Sequence, residues 1–230
     1  MQTPFDSSEL FTKVSQALYK GNSGYLLNKT HRHLTKFGNA RTVFNNSTHN
    51  KILEIGAGKG ELFEYVTGNF EKYFMTDISS WGEEDIRKII EKDNRVSFEL
   101  QNIEELRYPD NFFDRVLVTC VVAHVDEPFK ALEELRRVTK PQGVISIAVS
   151  TDPSFLLRVI RKILIIKKMK NLEIPYELFI AIQHRNSPLG IMNIVNWIYR
   201  NDEVYSRYYP FKLKFWNIST HIIVDIVKKI

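Results

Sequence analysis

The chain has 230 residues, 43% of them hydrophobic, and a formal net charge of +5. This length is enough for one α/β domain with an appended cap and too little for two large domains. No uncharged apolar run of about 18 residues occurs, so we expect no membrane-spanning helix. The first residues lack the pattern of a signal peptide, and the single cysteine, Cys120, excludes an intrachain disulfide. We therefore expect a cytoplasmic protein.

The positive charge is concentrated in the last third of the chain. Residues 1–150 carry 19 Lys and Arg against 21 Asp and Glu, whereas residues 151–230 carry 13 against 6, a net charge of +7. One interpretation is a solvated basic surface. The other is contact with a phosphate-bearing partner or an anionic membrane.

The N-terminal region is predicted to be helical. Apolar residues recur at helical spacing over 7–20, and a second helix is predicted over 22–37, ending at Gly38. We interpret residues 1–45 as an N-terminal helical cap and 46–230 as the main domain. Within that domain, residues 151–200 are predicted to be a variable helical region.

Strands and helices alternate from residue 51 onward. The predicted strands cover 51–55, 72–76, 95–100, 113–121 and 143–149. The predicted helices cover 59–67, 83–92 and 127–138, with Lys140–Gly143 as a turn before the fifth strand. Residues 154–170 and 174–200 are predicted to be helical, and strands over 202–210 and 220–227 are expected to pair at one sheet edge. This order predicts an α/β fold, a Rossmann-like and mostly parallel seven-stranded sheet with helices on both faces.

A glycine-rich turn follows the first strand. Glu54 precedes glycines at positions 56, 58 and 60, and alternating glycines allow positive φ and a close backbone approach to a ligand. The P-loop pattern is absent, and the third glycine comes one position too early for the dinucleotide pattern. The turn therefore predicts a nucleotide-type site of another kind.

Five segments in order carry a family resemblance. They are Leu53–Gly60, Thr76–Ser79, Tyr108–Asp114, Val122–Val125 and Ala131–Gly143. Together they cover roughly residues 50–150, and this region resembles class I S-adenosylmethionine-dependent methyltransferases, specifically the type 11 group of small-molecule enzymes. The resemblance implies S-adenosylmethionine as cofactor, with S-adenosylhomocysteine as product, and a small-molecule acceptor.

The resemblance also implies roles for individual residues. The turn formed by Gly56, Ala57, Gly58 and Gly60 would carry the methionine moiety, with Glu54 ordering the turn and contacting the amino group through water.

At the nucleoside end, Asp77 would accept both ribose hydroxyls, because a carboxylate can take two O–H donors. Ile78 would pack on the adenine. Asn102 and Ile103 would lie beside the adenine, although many relatives have Asp at position 102. No metal site is predicted.

His124 and His184 are the candidate catalytic residues. His124 follows the fourth strand, at the edge where ligands bind in such sheets, and could act as a general base. The alternative is a structural histidine bonded to its own loop. His184 lies in the variable region, where the alternative is an exposed helix end. Residues 25, 31 and 33 could overhang the site from the cap, and Cys120 is expected to be a buried, inert thiol.

Residues 154–170 predict a basic amphipathic helix. Arg158, Arg161, Lys162 and Lys168 share one face, roughly opposite Leu156, Ile160, Ile163 and Leu164. Such a helix can lie on the inner face of an anionic membrane, which would favour a lipid-linked acceptor, or it can simply cover the sheet.

We expect a hydroxyl acceptor on a sugar, a glycan or a lipid-linked metabolite. An RNA methyltransferase and a non-catalytic cofactor-binding domain remain alternatives. Nucleic acid is disfavoured, because residues 121–125 lack the Asp/Asn-Pro-Pro-aromatic motif of enzymes that methylate base amines. No feature of the sequence indicates an oligomeric state.

Overall fold

A seven-stranded sheet forms the centre of the protein in the computed structural model, which describes residues 33, 35–40, 49–66, 68–164 and 176–229. The strands are β1 (His49–Ile55), β2 (Phe70–Asp77), β3 (Val96–Leu100), β4 (Phe113–Thr119), β5 (Thr139–Ser150), β6 (Glu203–Tyr209) and β7 (His221–Val227). Their order is β3-β2-β1-β4-β5-β7-β6. The first five strands pair in parallel, and β7 pairs antiparallel with both β5 and β6. The predicted fold class and the terminal strand pair are both confirmed.

The strand order reverses at β1, which lies between β2 and β4. In open parallel sheets such a reversal opens a crevice at the carboxyl ends of the two strands, and ligands bind there. The glycine-rich turn leaves β1 at this point. The topology therefore places this turn, the end of β2 and the end of β4 at one edge.

Alternate residues along the strands fill two hydrophobic cores, one on each face of the sheet. On β1, Leu53 and Ile55 belong to one core and Ile52 to the other. Helices α2 (Pro128–Val138) and α5 (Pro188–Ile198) cover the first face, whereas α1 (Glu83–Ile90) packs on the second. Two further helices are α3 (Phe155–Leu164) and α4 (Tyr176–Gln183). None of the helices in the described ranges is both long enough and apolar enough to cross a bilayer.

The predicted helix over 59–67 is wrong. The chain instead forms turns and a short 3-10 helix, Phe63–Tyr65. Gly60 has φ +73°, which a right-handed helix does not allow, and Phe63 packs edge-to-face on Tyr73 with ring centroids 5.1 Å apart. This aromatic packing outweighs the weak helix propensity of so short a segment.

Cys120 lies outside β4, which ends at Thr119, and its side chain is only half-buried. The prediction of a buried thiol inside a strand is therefore wrong. Cys120 has φ +58°, and its N–H donates to the carbonyl of Ala148. This left-handed residue ends the strand and turns the chain toward the glycine-rich turn.

The predicted turn over Lys140–Gly143 is an irregularity within β5. The pairing of β4 with β5 jumps from Phe113–Thr139 to Arg115–Val144, and Gln142 has φ +65°. The strand thus continues through this irregularity while its register shifts.

Most of the N-terminal cap lies outside the described residues, as does the predicted boundary at residue 45. Residues 35–40 are helical, so this helix continues past Gly38, where it was predicted to end. Arg115 and Arg207 donate to the carbonyls of Ala40 and Gly38, respectively. Two carbonyls of the described helical residues are therefore bound by cations from β4 and β6.

Candidate active site

The glycine-rich turn is held in a left-handed conformation. Gly56, Gly58 and Gly60 have φ values of +71°, +58° and +73°. A Cβ at Gly56 would lie 2.2 Å from Cγ2 of Val121, and one at Gly60 would lie 2.5 Å from Cδ1 of Ile89. Both the backbone angles and the neighbours therefore require glycine. The contact with Val121 also joins this turn to the loop that follows β4.

Asp77, at the end of β2, is bonded to the glycine-rich turn. Its Oδ2 accepts the N–H of Gly58 at 3.0 Å, and its Oδ1 accepts the N–H of Ser79 at 3.0 Å. The residue is 8% exposed. Oδ1 also accepts the hydroxyl of Ser79 at 3.3 Å, so the lone pair left for a ligand is the second one on Oδ2. Asp77 can therefore hold the turn and still accept a ligand hydroxyl.

Glu54 lies in β1, two residues before Gly56, and is 2% exposed. Tyr73 donates its O–H to Glu54 at 2.8 Å. Burial raises the pKa of Glu54 to about 7, although this hydrogen bond and the charge of Lys36 oppose the rise.

The loop after β2 forms one wall beside the turn. Ile78 is 76% exposed directly after Asp77. A Cβ at Gly82 would lie 1.8 Å from the carbonyl oxygen of Gly58, so the two loops touch through their backbones. Trp81 also lies against Gly58, because a Cβ there would be 3.3 Å from Cζ2 of the indole. Sequence reasoning missed both Trp81 and Gly82. An aromatic residue and a glycine within five residues of Asp77 were the available signal.

The predicted adenine residues beyond β3 have different environments. Asn102 is exposed, and its side-chain oxygen accepts the N–H of Glu104 at 2.9 Å. Ile103 is 4% exposed and belongs to the hydrophobic core. Of this pair, only Asn102 presents its side chain at the surface.

The helical residues 35–40 lie against the glycine-rich turn and the end of β4. Lys36 forms an ion pair with Glu61, just after the turn. Asn39 donates from Nδ2 to the carbonyl of Val118 at 3.1 Å and to Oγ1 of Thr119 at 2.7 Å. This part of the cap therefore reaches the candidate site.

Of the three predicted overhanging residues, only position 33 is among the described residues. His33 contacts the hydroxyl of Tyr65 at 3.1 Å. The other two positions, 25 and 31, lie outside the described residues.

The two candidate catalytic histidines, 60 positions apart in sequence, meet in the structure. The rings of His124 and His184 have centroids 4.9 Å apart in an edge-to-face arrangement. Nδ1 of His124 lies 2.8 Å from the carbonyl oxygen of Gln183, and because a carbonyl only accepts, Nδ1 carries the proton. Burial, with a contribution from His184, lowers the pKa of His124 to about 4. His124 is therefore a neutral imidazole whose Nε2 is the proton acceptor.

Asp152 completes this cluster and was missed by sequence reasoning. Its carboxylate lies 3.2 Å from Nδ1 of His184, and its side chain is 1% exposed. A carboxylate on Nδ1 orients the ring and leaves Nε2 as the base, as in other Asp–His pairs. Asp152 comes two residues after the end of β5, and a polar residue just past a buried strand was the available signal.

The segment that carries His184 is fixed to the loop after β4. Asn186 donates from Nδ2 to the carbonyl oxygens of Val122 at 3.1 Å and Val125 at 2.8 Å. Arg185 forms an ion pair with Asp126. Val121 of the same loop lies against Gly56. The loop after β4 therefore contacts both the glycine-rich turn and the segment that carries His184.

A surface cavity of about 530 Å³ lies at the opposite edge of the sheet, between α2 and α5. Its lining includes Arg136, Arg137 and Lys228. Asp202 and Glu134 bind the two arginines, and Lys228 donates to the carbonyls of residues 136 and 139. These charges are already paired within the protein.

The sheet order, the reversal at β1 and the Asp77-bonded glycine turn define the class I methyltransferase fold. Residues 53–147 match the family model described as "Methyltransferase domain". Residues 53–147 therefore form a methyltransferase domain, which agrees with the sequence resemblance to class I S-adenosylmethionine-dependent methyltransferases.

Known proteins resemble the chain beyond this segment. The demethylmenaquinone methyltransferase of Clavibacter sepedonicus is 31% identical over 156 residues, which are 67% of this chain and 62% of that protein. The putative methyltransferase in a complex with the Trm112 activator from Haloferax volcanii has a TM-score of 0.66 at 15% identity, covering 99% of this chain and all of that chain. The plantazolicin methyltransferase BpumL, in complex with S-adenosylhomocysteine, has a TM-score of 0.63 at 16% identity, covering 97% and 98%. An uncharacterized methyltransferase of Schizosaccharomyces pombe is 37% identical over 109 residues, which are 41% of this chain and 38% of that protein. The chain therefore spans less than two thirds of the length of both curated relatives.

The residues at the β1–β4 edge fit the cofactor of this family, S-adenosylmethionine. The turn has glycine at positions 56, 58 and 60 with positive φ, Asp77 is a carboxylate acceptor, and Ile78 presents an apolar side chain beside it. A cationic methionine moiety and a nucleoside need these three features.

Proposed function

We propose that this protein transfers a methyl group from S-adenosylmethionine to a hydroxyl-bearing small molecule, either a sugar or glycan or a lipid-linked metabolite. The observation that carries the proposal is the bond between Gly58 and the Asp77 carboxylate at the topological reversal of the sheet. Glu54, Gly56, Ala57, Gly58, Gly60, Asp77 and Ile78 are the proposed cofactor residues of this edge, and Asn102 and Ile103 are proposed at its adenine end.

The histidine cluster supports a hydroxyl acceptor. Bound S-adenosylmethionine would supply an electrophilic methyl group, so the protein has to position the acceptor and remove its proton. Nε2 of His184 is the proposed base, because Asp152 holds its Nδ1. The neutral His124 is proposed to accept a hydrogen bond from the acceptor. Deprotonating a phenol or enol also activates the neighbouring carbon, so the cluster suits carbon methylation of a quinol ring as well.

Calorimetry with S-adenosylmethionine tests the cofactor site. We expect micromolar-range binding by the unchanged protein and a loss of at least about tenfold in Asp77→Ala, since a hydrogen bond to a charged group contributes about 1.5–3 kcal/mol. Asp93→Ala is the matched control, because Asp93 is a carboxylate at the opposite edge that binds only Arg95. Equal affinity in Asp77→Ala and in the control would refute the assignment.

A product screen with labelled methyl donor tests the transfer. We expect labelled small molecules from a lipid-containing metabolite extract, and less label with His184→Asn although cofactor binding persists. Cofactor binding without any labelled product would support the non-catalytic alternative. Label in RNA would support the RNA methyltransferase.

A further inference from the structure

The outer side of α3 carries an exposed apolar stripe, which a helix that merely covers the sheet does not need. Phe155, Val159 and Ile163 are 65%, 37% and 66% exposed. Their spacing of four residues puts them on one face. The exposed cations Arg158 and Lys162 lie on the same face, between and beside the apolar residues. Sequence reasoning had assigned Ile163 to the face opposite these cations, so the structure corrects the arrangement.

A second exposed segment repeats this composition beyond β6. Phe211, Leu213 and Phe215 are 58%, 58% and 53% exposed, and the exposed Lys212 and Lys214 alternate with them. The segment is held in shape, because Lys212 donates its N–H to the carbonyl of Tyr208 and Phe215 donates to Leu213.

The two segments are adjacent in the fold. The N–H of Phe155 donates to the side chain of Asn217 at 2.7 Å, and Ser154 donates from Oγ to the carbonyl of Ser219 at 2.8 Å. The start of α3 thus lies against the 3-10 helix Trp216–Ile218, which directly follows Phe215. We call the exposed residues of these two segments together the apolar–basic surface; they are Phe155, Arg158, Val159, Lys162, Ile163 and residues 211–215. It contains no Asp or Glu.

We propose that the apolar–basic surface docks the protein onto an anionic phospholipid bilayer. Phe and Leu side chains insert at the headgroup boundary while the interspersed lysines and arginines contact lipid phosphates. Nucleic acid fits the surface less well, because Val159, Ile163 and Leu213 cannot stack on bases.

The position of the surface relates it to the acceptor site. Phe155 lies three residues after Asp152, whose carboxylate binds His184. Residues 155–163 follow the end of β5 at Ser150, and residues 211–215 follow the end of β6 at Tyr209. Both strand ends pair with His221 of β7, so the two segments leave the sheet at the same edge. Docking would therefore bring the histidine cluster to the bilayer, so a lipid-linked acceptor could enter from the membrane. The choice of acceptor rests on the proposed function, whereas the docking itself does not.

Vesicle flotation of the purified chain tests the docking. With phosphatidylglycerol-containing vesicles at about 0.1 M salt, we expect the protein to float, and with phosphatidylcholine alone to stay at the bottom. Leu213→Ser/Phe215→Ser and Lys212→Glu/Lys214→Glu should each reduce the bound fraction at least tenfold.

Two matched controls should float normally. Leu189→Ser/Trp197→Ser removes equally exposed apolar side chains from α5, and Lys72→Glu/Lys92→Glu reverses two exposed lysines elsewhere. Every variant should keep the thermal midpoint and cofactor affinity of the unchanged protein, which excludes misfolding as the cause.

Three results would overturn the docking: no flotation of the unchanged protein, equal losses in the controls, or full flotation of the serine variant. Retention on RNA but not on vesicles would identify a nucleic-acid surface instead. Flotation without cofactor binding would refute the proposed function and leave the docking intact. Cofactor binding without flotation would refute the docking and leave the proposed function intact.

Discussion

At the scale of single residues, Gly56 connects the glycine-rich turn to the loop that carries His124. Its φ of +71° and the 2.2 Å approach of Val121 both exclude a side chain. We expect Gly56→Ala to lower the free energy of unfolding by about 2–6 kcal/mol, since left-handed strain and overpacking each cost about 1–3 kcal/mol. Denaturant unfolding measures the loss.

Gly38→Ala is the control for this change, because its added Cβ would meet neighbours only at 3.5 Å and beyond. In Gly56→Ala/Val121→Ala the combined loss should be smaller than the sum of the two single losses, because the clashing methyl is gone. Simple additivity would mean that Val121 does not set the constraint.

The histidine pair predicts a measurable change in protonation. The pKa of His124 is lowered to about 4, mainly by burial and next by the neighbouring His184. We expect His184→Asn to raise the pKa of His124 partway toward 6.5, since the burial remains. An NMR titration of the imidazole resonances measures this. The control is a substitution of Arg200, which donates to the carbonyl of Trp197 away from the histidine pair. It should leave the pKa of His124 unchanged. An unchanged pKa in His184→Asn would contradict the pairing of the rings.

At the scale of elements, the helical residues 35–40 are attached to the end of β4 through Asn39. This side chain is fully buried and donates to both Val118 and Thr119. We expect Asn39→Ala to lower the free energy of unfolding by about 1–3 kcal/mol, because buried acceptors lose their donor. Hydrogen exchange should quicken over residues 35–40.

The same change should weaken S-adenosylmethionine binding, because Lys36 links this helix to Glu61 beside the glycine-rich turn. Asn193→Ala, at an exposed position of α5, is the matched control and should change neither quantity. Faster exchange with unchanged cofactor affinity would show that the helix does not contribute to the site.

At the scale of the whole molecule, three buried groups make stability depend on pH. Burial raises the pKa of Glu54 to about 7. The contribution of Glu54 to the free energy of unfolding is therefore fully present below pH 4.5 and is lost as the pH rises through 7. The pKa values of His49 and His124 are lowered to about 4, again by burial first. Their contributions are present above 6.5 and are lost as the pH falls toward 4.

Near pH 5.5 these shifts leave the unfolded state with a net excess of about one proton. Stability should therefore rise by about 1.4 kcal/mol per pH unit from these groups, and by about twice as much in Glu54→Gln. Urea unfolding between pH 5 and 6.5 measures both slopes. Glu99→Gln, at an exposed position of β3, is the control and should keep the unchanged slope. Equal slopes in Glu54→Gln and the unchanged protein would show that Glu54 titrates as it does in the unfolded chain.

The amino-acid sequence by itself determined the sheet, its turn and the family. Apolar strands that alternate with helical segments specify a mostly parallel sheet, and glycines at 56, 58 and 60 specify a turn that no other residue allows. These are local properties, because hydrophobic period and φ preference depend on a few neighbouring residues. Asp77 follows the same logic, since it ends a strand next to that turn.

Only the tertiary structure decided which distant residues meet. The helix predicted over 59–67 does not form, because Phe63 packs on Tyr73. Cys120 lies outside the predicted strand, because the loop after β4 turns toward Gly56. The carboxylate of Asp152 binds His184, and an apolar face of α3 is exposed to solvent. Such outcomes depend on contacts between segments far apart in sequence, where packing overrides local propensity.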